Sequence, residues 1–389
     1  MSSEQEFSDI APYSDAEFSA KMAHLVKEPG FEHAIRFVMP EVDYTEFVRN
    51  LLNVRDQKSF QLQVIVPFLE MLEKNTTAGI TANGFDNISN GHSYMFMSNH
   101  RDIVLDASFL NFCFIKHGYP TSEIAIGNNL LIYDWITDLV KLNKSFIVKR
   151  NLKITQALQA ARQLSAYIHY AINTKKESVW IAQREGRAKD SNDVTQESLI
   201  KMLGLEGGGS LRKNIETVNV VPVSISYEFD PNDYLKVTEY LLRRRDPEFR
   251  KSQHDDLLSM ETGILQYKGH VHFEIGQCIN DSLAALPDDI DKPELLKAVC
   301  GMIDTSVHSN YKIYPINYIA YDIVNSTDRF KDCYTASDED RTREYVHTQI
   351  EKVDVPGITP DERDYMLKMI YSMYANPLIN KLAVTTSMS

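Results

Sequence analysis

The segment Met97-Ser98-Asn99-His100-Arg101-Asp102-Ile103-Val104-Leu105-Asp106 joins two kinds of sequence. Before it, Ser93–Met97 is a short aromatic and apolar run of the kind that forms a strand. After it, from Ala107, the pattern is helical. A strand that gives way to a helix within a few residues is the unit of an α/β sheet, where ligands collect beyond the carboxyl ends of the strands. His100 stands at such an end, and two carboxylates, Asp102 and Asp106, follow within six residues. Histidine is the side chain whose ordinary pKa suits proton transfer near neutrality, and a neighbouring carboxylate fixes its tautomer and stabilises the imidazolium. Two plainer readings stand beside this one: a hydrogen-bonded structural histidine, and Asp106 as the cap of a helix starting at Ala107.

Outward from this segment the pattern repeats. Short β-branched and aromatic runs bounded by turn residues predict strands at Ile80–Asn83, Ser93–Met97, Glu123–Gly127, Ser145–Val148, Ser178–Gln183, Val218–Tyr227 and His270–Gly276. Helical patterns lie between them. The clearest runs from Ile154 to Thr174, with Ile154, Leu158, Ala161, Leu164, Ile168 and Ile172 on one face and Lys175 and Lys176 at its negative end. Another starts at Asp230-Pro231, read as an N-cap followed by proline at the first helical position. The chain therefore divides into an N-terminal helical region (1–75), an α/β core with a mixed sheet flanked by helices (76–280) and a C-terminal helical region (281–389).

Two later strand ends carry cations. Lys144-Ser145-Phe146-Ile147-Val148-Lys149-Arg150 ends in an ammonium and a guanidinium. Ser178–Lys189 ends in Arg184, Glu185, Gly186, Arg187 and Lys189. These are the groups that hold a phosphate, and Gly186 lets the backbone come close to one. Each end alone is more often a solvated strand end; in order after His100 they form a set.

Other motifs are excluded or weak. His100-Arg101-Asp102 matches the start of a kinase catalytic loop, but Ala107 stands where that loop needs asparagine, and no Asp-Phe-Gly triplet follows. The glycine run Gly204–Ser210 lacks the lysine of a phosphate-binding loop and reads as a turn. His270 and His272 share one face of a strand without a third metal ligand, so no metal site is expected.

A net charge of −13 argues against nucleic acid as a partner. The local cluster Arg243, Arg244, Arg245, Arg250 and Lys251 reads either as a solvated helix end or as a surface for anionic lipid, coenzyme phosphates or an acidic carrier. The four scattered cysteines fit a reduced cytoplasm. Met1–Ile10 is acidic and polar, unlike a secretory signal. The longest apolar run, Ala107–Ile115, is broken by Asn111 and is about half of the roughly 20 residues a spanning helix needs.

The ordered blocks Asn99-His100…Asp106, Phe146-Ile147-Val148-Lys149-Arg150, Glu185-Gly186-Arg187 and Val220-Val221-Pro222-Val223 resemble those of the glycerolipid acyltransferases, over about residues 93 to 228. That family comprises glycerol-3-phosphate and 1-acylglycerol-3-phosphate acyltransferases. The resemblance implies that His100 takes the acceptor's hydroxyl proton and an aspartate orients it. It further implies that Lys149, Arg150, Arg184, Glu185, Gly186, Arg187 and Lys189 bind the acceptor. The family sets its acid after four intervening residues, where this chain has Leu105; the partner of His100 is then Asp106 or Asp102. The family's third-block arginine lies three residues after the glutamate, whereas Arg187 lies two after Glu185.

The reaction so implied is direct acyl transfer from acyl-CoA or acyl-carrier protein to a glycerol-phosphate or lysolipid hydroxyl, with no cofactor. Such substrates place the enzyme in the cytoplasm, peripherally on the cytoplasmic face of a membrane. Residues 230–251 and the N-terminal helices are the candidates for attachment. The competing reading is a non-catalytic lipid-binding scaffold of the same fold.

Overall fold

The structure, a computed structural model, describes residues 6–388. Its centre is a seven-stranded mixed sheet: β1 (Gly79–Asn83), β2 (Met95–Ser98), β3 (Glu123–Gly127), β4 (Ser145–Val148), β5 (Val179–Ala182), β6 (Val220–Tyr227) and β7 (His270–Ile275). The spatial order is β1-β7-β6-β2-β5-β3-β4. The five strands from β6 to β4 are parallel to one another, and β7 with its parallel neighbour β1 runs against them. All seven predicted strands are present, shifted by at most two residues at an end.

Alternation along the strands sends side chains to two cores. Met95, Met97, Val179, Ile181 and Val220 face a layer that includes the helices Ile154–Tyr170 and Lys292–Ser309. Phe96, Trp180, Val221, Val223 and Phe273 face the layer of helices Val66–Thr76 and Leu105–Lys116. β6 is buried along its whole length, as expected of a strand covered on both faces.

The N-terminal helices form their own apolar cluster, with Phe18, Phe31 and Phe60 packed on Leu142. They are pinned by the buried Asp138, which accepts from the Tyr13 hydroxyl at 2.5 Å and bonds His24 Nδ1 at 2.9 Å. In the C-terminal part, the helices Pro315–Asn325, Ala336–Glu351 and Pro360–Met388 share a cluster with the helix Asp233–Arg245, through Val237, Leu241, Ile316, Val346 and Ile370.

Three local expectations differ. The helix read from Asp230-Pro231 begins at Asp233, because the Asp230 carboxylate accepts from Asn232 N at 2.9 Å and closes a turn first. The helix from Ile154 is regular to Tyr170 and widens into a π-turn over Ala171–Lys175, and Leu158 on its supposed inner face is 57% exposed. The cations between Arg243 and Lys251 are not a free anion surface. Arg243 pairs with Glu239 at 2.8 Å, Arg244 with Asp361 at 2.7 Å, Arg245 with Glu362 at 2.7 Å and Lys251 with Asp256 at 2.9 Å; only Arg250, 3.7 Å from Glu248, is loosely held.

Candidate active site

β2 ends at Ser98, and the next side chain, Asn99, continues its ladder: Oδ1 accepts from Ile225 N at 2.8 Å and Nδ2 donates to Ile225 O at 2.9 Å. That rung frees the backbone to turn, and His100 emerges with its side chain 15% exposed, edge-on to Trp180. Its Nδ1 bonds Asp106 Oδ2 at 2.8 Å. The same oxygen accepts from Arg101 N at 2.7 Å and Asp102 N at 3.1 Å, and Oδ1 accepts from the Tyr227 hydroxyl at 3.1 Å. Asp106 is thus a fully buried carboxylate held by four donors. It lies in the first turn of the helix Leu105–Lys116, where the helix dipole also favours a negative charge.

Asp102 does not share this role. Its Oδ1 accepts from Val104 N and Leu105 N at 2.9 and 2.8 Å, capping that helix, and Oδ2 accepts from Asn232 Nδ2 at 2.8 Å. Burial, reinforced by the charge of Asp106, pushes its carboxyl above the ordinary aspartate value. Of the two acids left open by the sequence, the partner of His100 is Asp106; Asp102 shapes the turn.

Groups from distant segments fix the same turn. Arg101 is buried in an ion pair with Asp193, and Asp193 is also 3.5 Å from His100 N. Burial would lower the Arg101 pKa, but Asp193 outweighs it and the value is raised. Lys236, itself buried and paired with Asp230, donates to Arg101 O at 3.2 Å. His308 Nε2 bonds Asp193 O at 2.8 Å. Asp193, Tyr227 and Lys236 belong to this site and carry no local signal in the sequence, since each is brought in by tertiary packing.

His100 opens on a cavity of about 1560 Å³ that is also lined by Lys149, Arg150, Arg184, Glu185, Gly186, Arg187 and Lys189. All the predicted acceptor-binding residues therefore share one space, but their cations differ. Lys149 is taken by Asp9 at 2.5 Å and Gln163 at 2.9 Å, and Lys189 by Glu239 at 2.8 Å. Burial, then the charge of Arg187, brings the Lys189 ammonium down to about 8. Arg150 has a loose contact with Glu185 at 3.8 Å. Arg184 and Arg187 have no hydrogen-bond or ion-pair partner among the described residues, although the charge of Arg187 acts on Asp102, and Arg187 Nη1 is a buried donor without an acceptor. A buried guanidinium nitrogen left without an acceptor is costly, so this part of the cavity has the chemistry to receive an anion. Gly186 holds φ +70° between Glu185 and Arg187, a backbone shape that side-chain-bearing residues avoid.

The remainder of the cavity wall is largely apolar and includes Phe31, Ile35 and Phe47 from the N-terminal helices. His270 and His272, weighed as metal ligands, are engaged elsewhere, His270 with Glu228 at 2.7 Å and His272 with Thr81 at 2.8 Å.

No protein-family model matches the chain, and no curated protein matches its sequence. Among solved structures the chain is similar to the 1-acyl-sn-glycerophosphate (LPA) acyltransferase PlsC from Thermotoga maritima. The identity is 13% and the TM-score 0.39, over 74% of this chain and 92% of that one.

Proposed function

We propose that this chain is an O-acyltransferase that moves a fatty acyl group from a thioester, acyl-CoA or acyl-carrier protein, to a hydroxyl of a glycerol-phosphate-type acceptor. The observation that carries the reading is the His100–Asp106 pair opening on the cavity that holds the unsatisfied Arg187.

With Nδ1–H donated to Asp106, His100 Nε2 is the free base. It accepts the acceptor's hydroxyl proton as the oxygen attacks the thioester carbonyl. The tetrahedral intermediate collapses with loss of thiolate, which takes the proton back from the imidazolium. Asp106 holds the ring and offsets its transient charge. Arg187, Arg184 and Arg150 hold the acceptor's phosphate, which brings the hydroxyl to Nε2. The apolar wall suits an acyl chain.

The acyl chain and a lysolipid acceptor are poorly soluble in water, and the reading places the enzyme peripherally on the cytoplasmic face of a bilayer. Among the described residues no helix is long and apolar enough to cross a membrane. Phe37 and Tyr133, on the cavity wall, are 48% and 52% exposed, which suits a lipid-facing mouth better than the paired cations of residues 243–251 do.

The test offers palmitoyl-CoA with glycerol-3-phosphate or 1-acylglycerol-3-phosphate to the protein and its His100→Ala variant. Thiol release and lipid product are followed together. Acceptor-dependent release that vanishes in the variant is expected; equal rates in both would sink the mechanism. The scaffold reading would gain if no acid reached His100; Asp106 Oδ2 lies 2.8 Å from its Nδ1, which supports the enzyme instead.

A further inference from the structure

One wall of the cavity is the helix Gln253–Leu265, and it is fixed over the catalytic turn. A Cβ on its Gly263 would lie 1.9 Å from Asp102 Oδ2, so the helix backbone rests directly on the Asp102 carboxylate. The helix also packs against Asn128–Leu130, where the Asn128 side chain accepts from Arg150 N at 2.8 Å. Spanning these two parts of the site, it turns Leu257, Met260, Glu261 and Ile264 toward the cavity, at the spacing of one helical face.

Three of these are apolar. Glu261 is half-buried and has no hydrogen-bond or ion-pair partner among the described residues. The lysines of the cavity wall are already used, Lys149 by Asp9 at 2.5 Å, Lys251 by Asp256 at 2.9 Å and Lys189 by Glu239 at 2.8 Å. The other unpaired acid on the wall, Asp134, is exposed at the start of the helix Asp134–Leu142. A carboxylate without a protein partner is open to a charged donor on a ligand. The cavity thus presents unpaired charge of both signs, Arg184 and Arg187 on one element and Glu261 on another.

We propose that Glu261 forms a subsite for a cationic group of the acceptor, so that the preferred acceptor is a zwitterionic lysophospholipid. Its phosphate meets Arg184 and Arg187, and its ammonium meets Glu261. The inference deepens the acyltransferase reading and rests on it for the word acceptor; the binding it describes is measurable without turnover.

The test uses the whole protein, whose two tryptophans, Trp135 and Trp180, both line the cavity and report binding by fluorescence. Lysophosphatidylethanolamine and lysophosphatidic acid are titrated below their micelle concentrations into wild type, Glu261→Gln and Glu261→Lys, each checked for unchanged Tm. Glu261→Gln should weaken lysophosphatidylethanolamine binding about tenfold and change lysophosphatidic acid binding less than about twofold. Glu261→Lys should reverse the preference. Equal changes for both lipids, no change for either, or no lysophosphatidylethanolamine binding to wild type would each overturn the proposal. Palmitoyl transfer measured in parallel separates the two readings. Charge-selective binding without thiol release from any acceptor sinks the transferase and leaves the subsite. Transfer that Glu261→Gln leaves unselective, together with unselective binding, sinks the subsite alone.

Discussion

The Asn99 side chain occupies both backbone hydrogen-bonding groups of Ile225, at 2.8 and 2.9 Å, and so adds one rung to the β2–β6 ladder made by a carboxamide instead of a main chain. The strand stops there in its backbone and continues in its side chain, and this lets His100 leave the sheet while its base stays anchored.

Asn99→Asp should break that rung, because a carboxylate cannot donate to Ile225 O and is left buried facing it. A stability loss of about 2–4 kcal/mol is expected, read from urea unfolding, with loss of acyl transfer. A variant as stable as wild type would show that the rung is ornamental.

Asp106 and Tyr227 should differ sharply. Asp106→Asn retains the shape but loses the negative charge that offsets the imidazolium of His100, and kcat should fall by about two to four orders of magnitude. Tyr227→Phe removes one donor to Asp106 Oδ1, costing about 1 kcal/mol of stability and less than about tenfold in rate. Similar rates for the two variants would argue that Asp106 serves only the backbone of the turn.

Arg187→Met exchanges a guanidinium with one buried, unsatisfied nitrogen for an apolar chain of similar length. The expected result is opposite in the two assays: Tm equal to wild type or a few degrees higher, and KM for a phosphate-bearing acceptor raised about ten- to a hundredfold. A drop in Tm with KM unchanged would make Arg187 structural.

Asp233 gives a pH signature. Burial pushes its carboxyl up to about 6 although the Tyr345 and Tyr374 hydroxyls, each at 2.7 Å, oppose the shift. Between about pH 4 and 6 the folded state keeps a proton that the unfolded chain has released, so stability falls as pH rises through this window, by about 3 kcal/mol. Asp233→Asn is neutral throughout and should lack that slope, ending more stable than wild type at pH 7. Urea midpoints of both proteins at pH 4.5 and 7 decide it; parallel pH dependence would refute the assignment.

The strands were legible because each is a short β-branched or aromatic run closed by turn residues, and the alternation of strand and helix fixed the class. The His100 partner was not, since an acid six positions on reaches back only if the helix starts after the histidine, at Leu105. The cations Lys149, Arg150, Arg184, Arg187 and Lys189 were found as types at strand ends, but that Lys149 and Lys189 are already engaged depends on Asp9, Gln163 and Glu239, which lie outside those motifs. The same blindness left the Arg243–Lys251 cluster open between a solvated helix end and a surface for anions: Asp361 and Glu362, two of its partners, sit on the last helix. Glu261 had no motif around it; its standing comes from Gly263 resting on Asp102, a contact no periodicity announces.

The pairing of β1 with β7, Gly79 against His270, has a consequence for the order of assembly. The first strand of the sheet finds its neighbour in the last, so its hydrogen bonds form after nearly the entire core has been synthesised, a long loop closure that slows folding. His100 is translated early, yet its turn needs Ile225 and Tyr227 from β6, and β6 in turn keeps an open edge until β7 arrives. A nascent chain stopped short of His270 therefore displays a nearly complete site beside an unprotected strand, the state in which this protein most needs a chaperone.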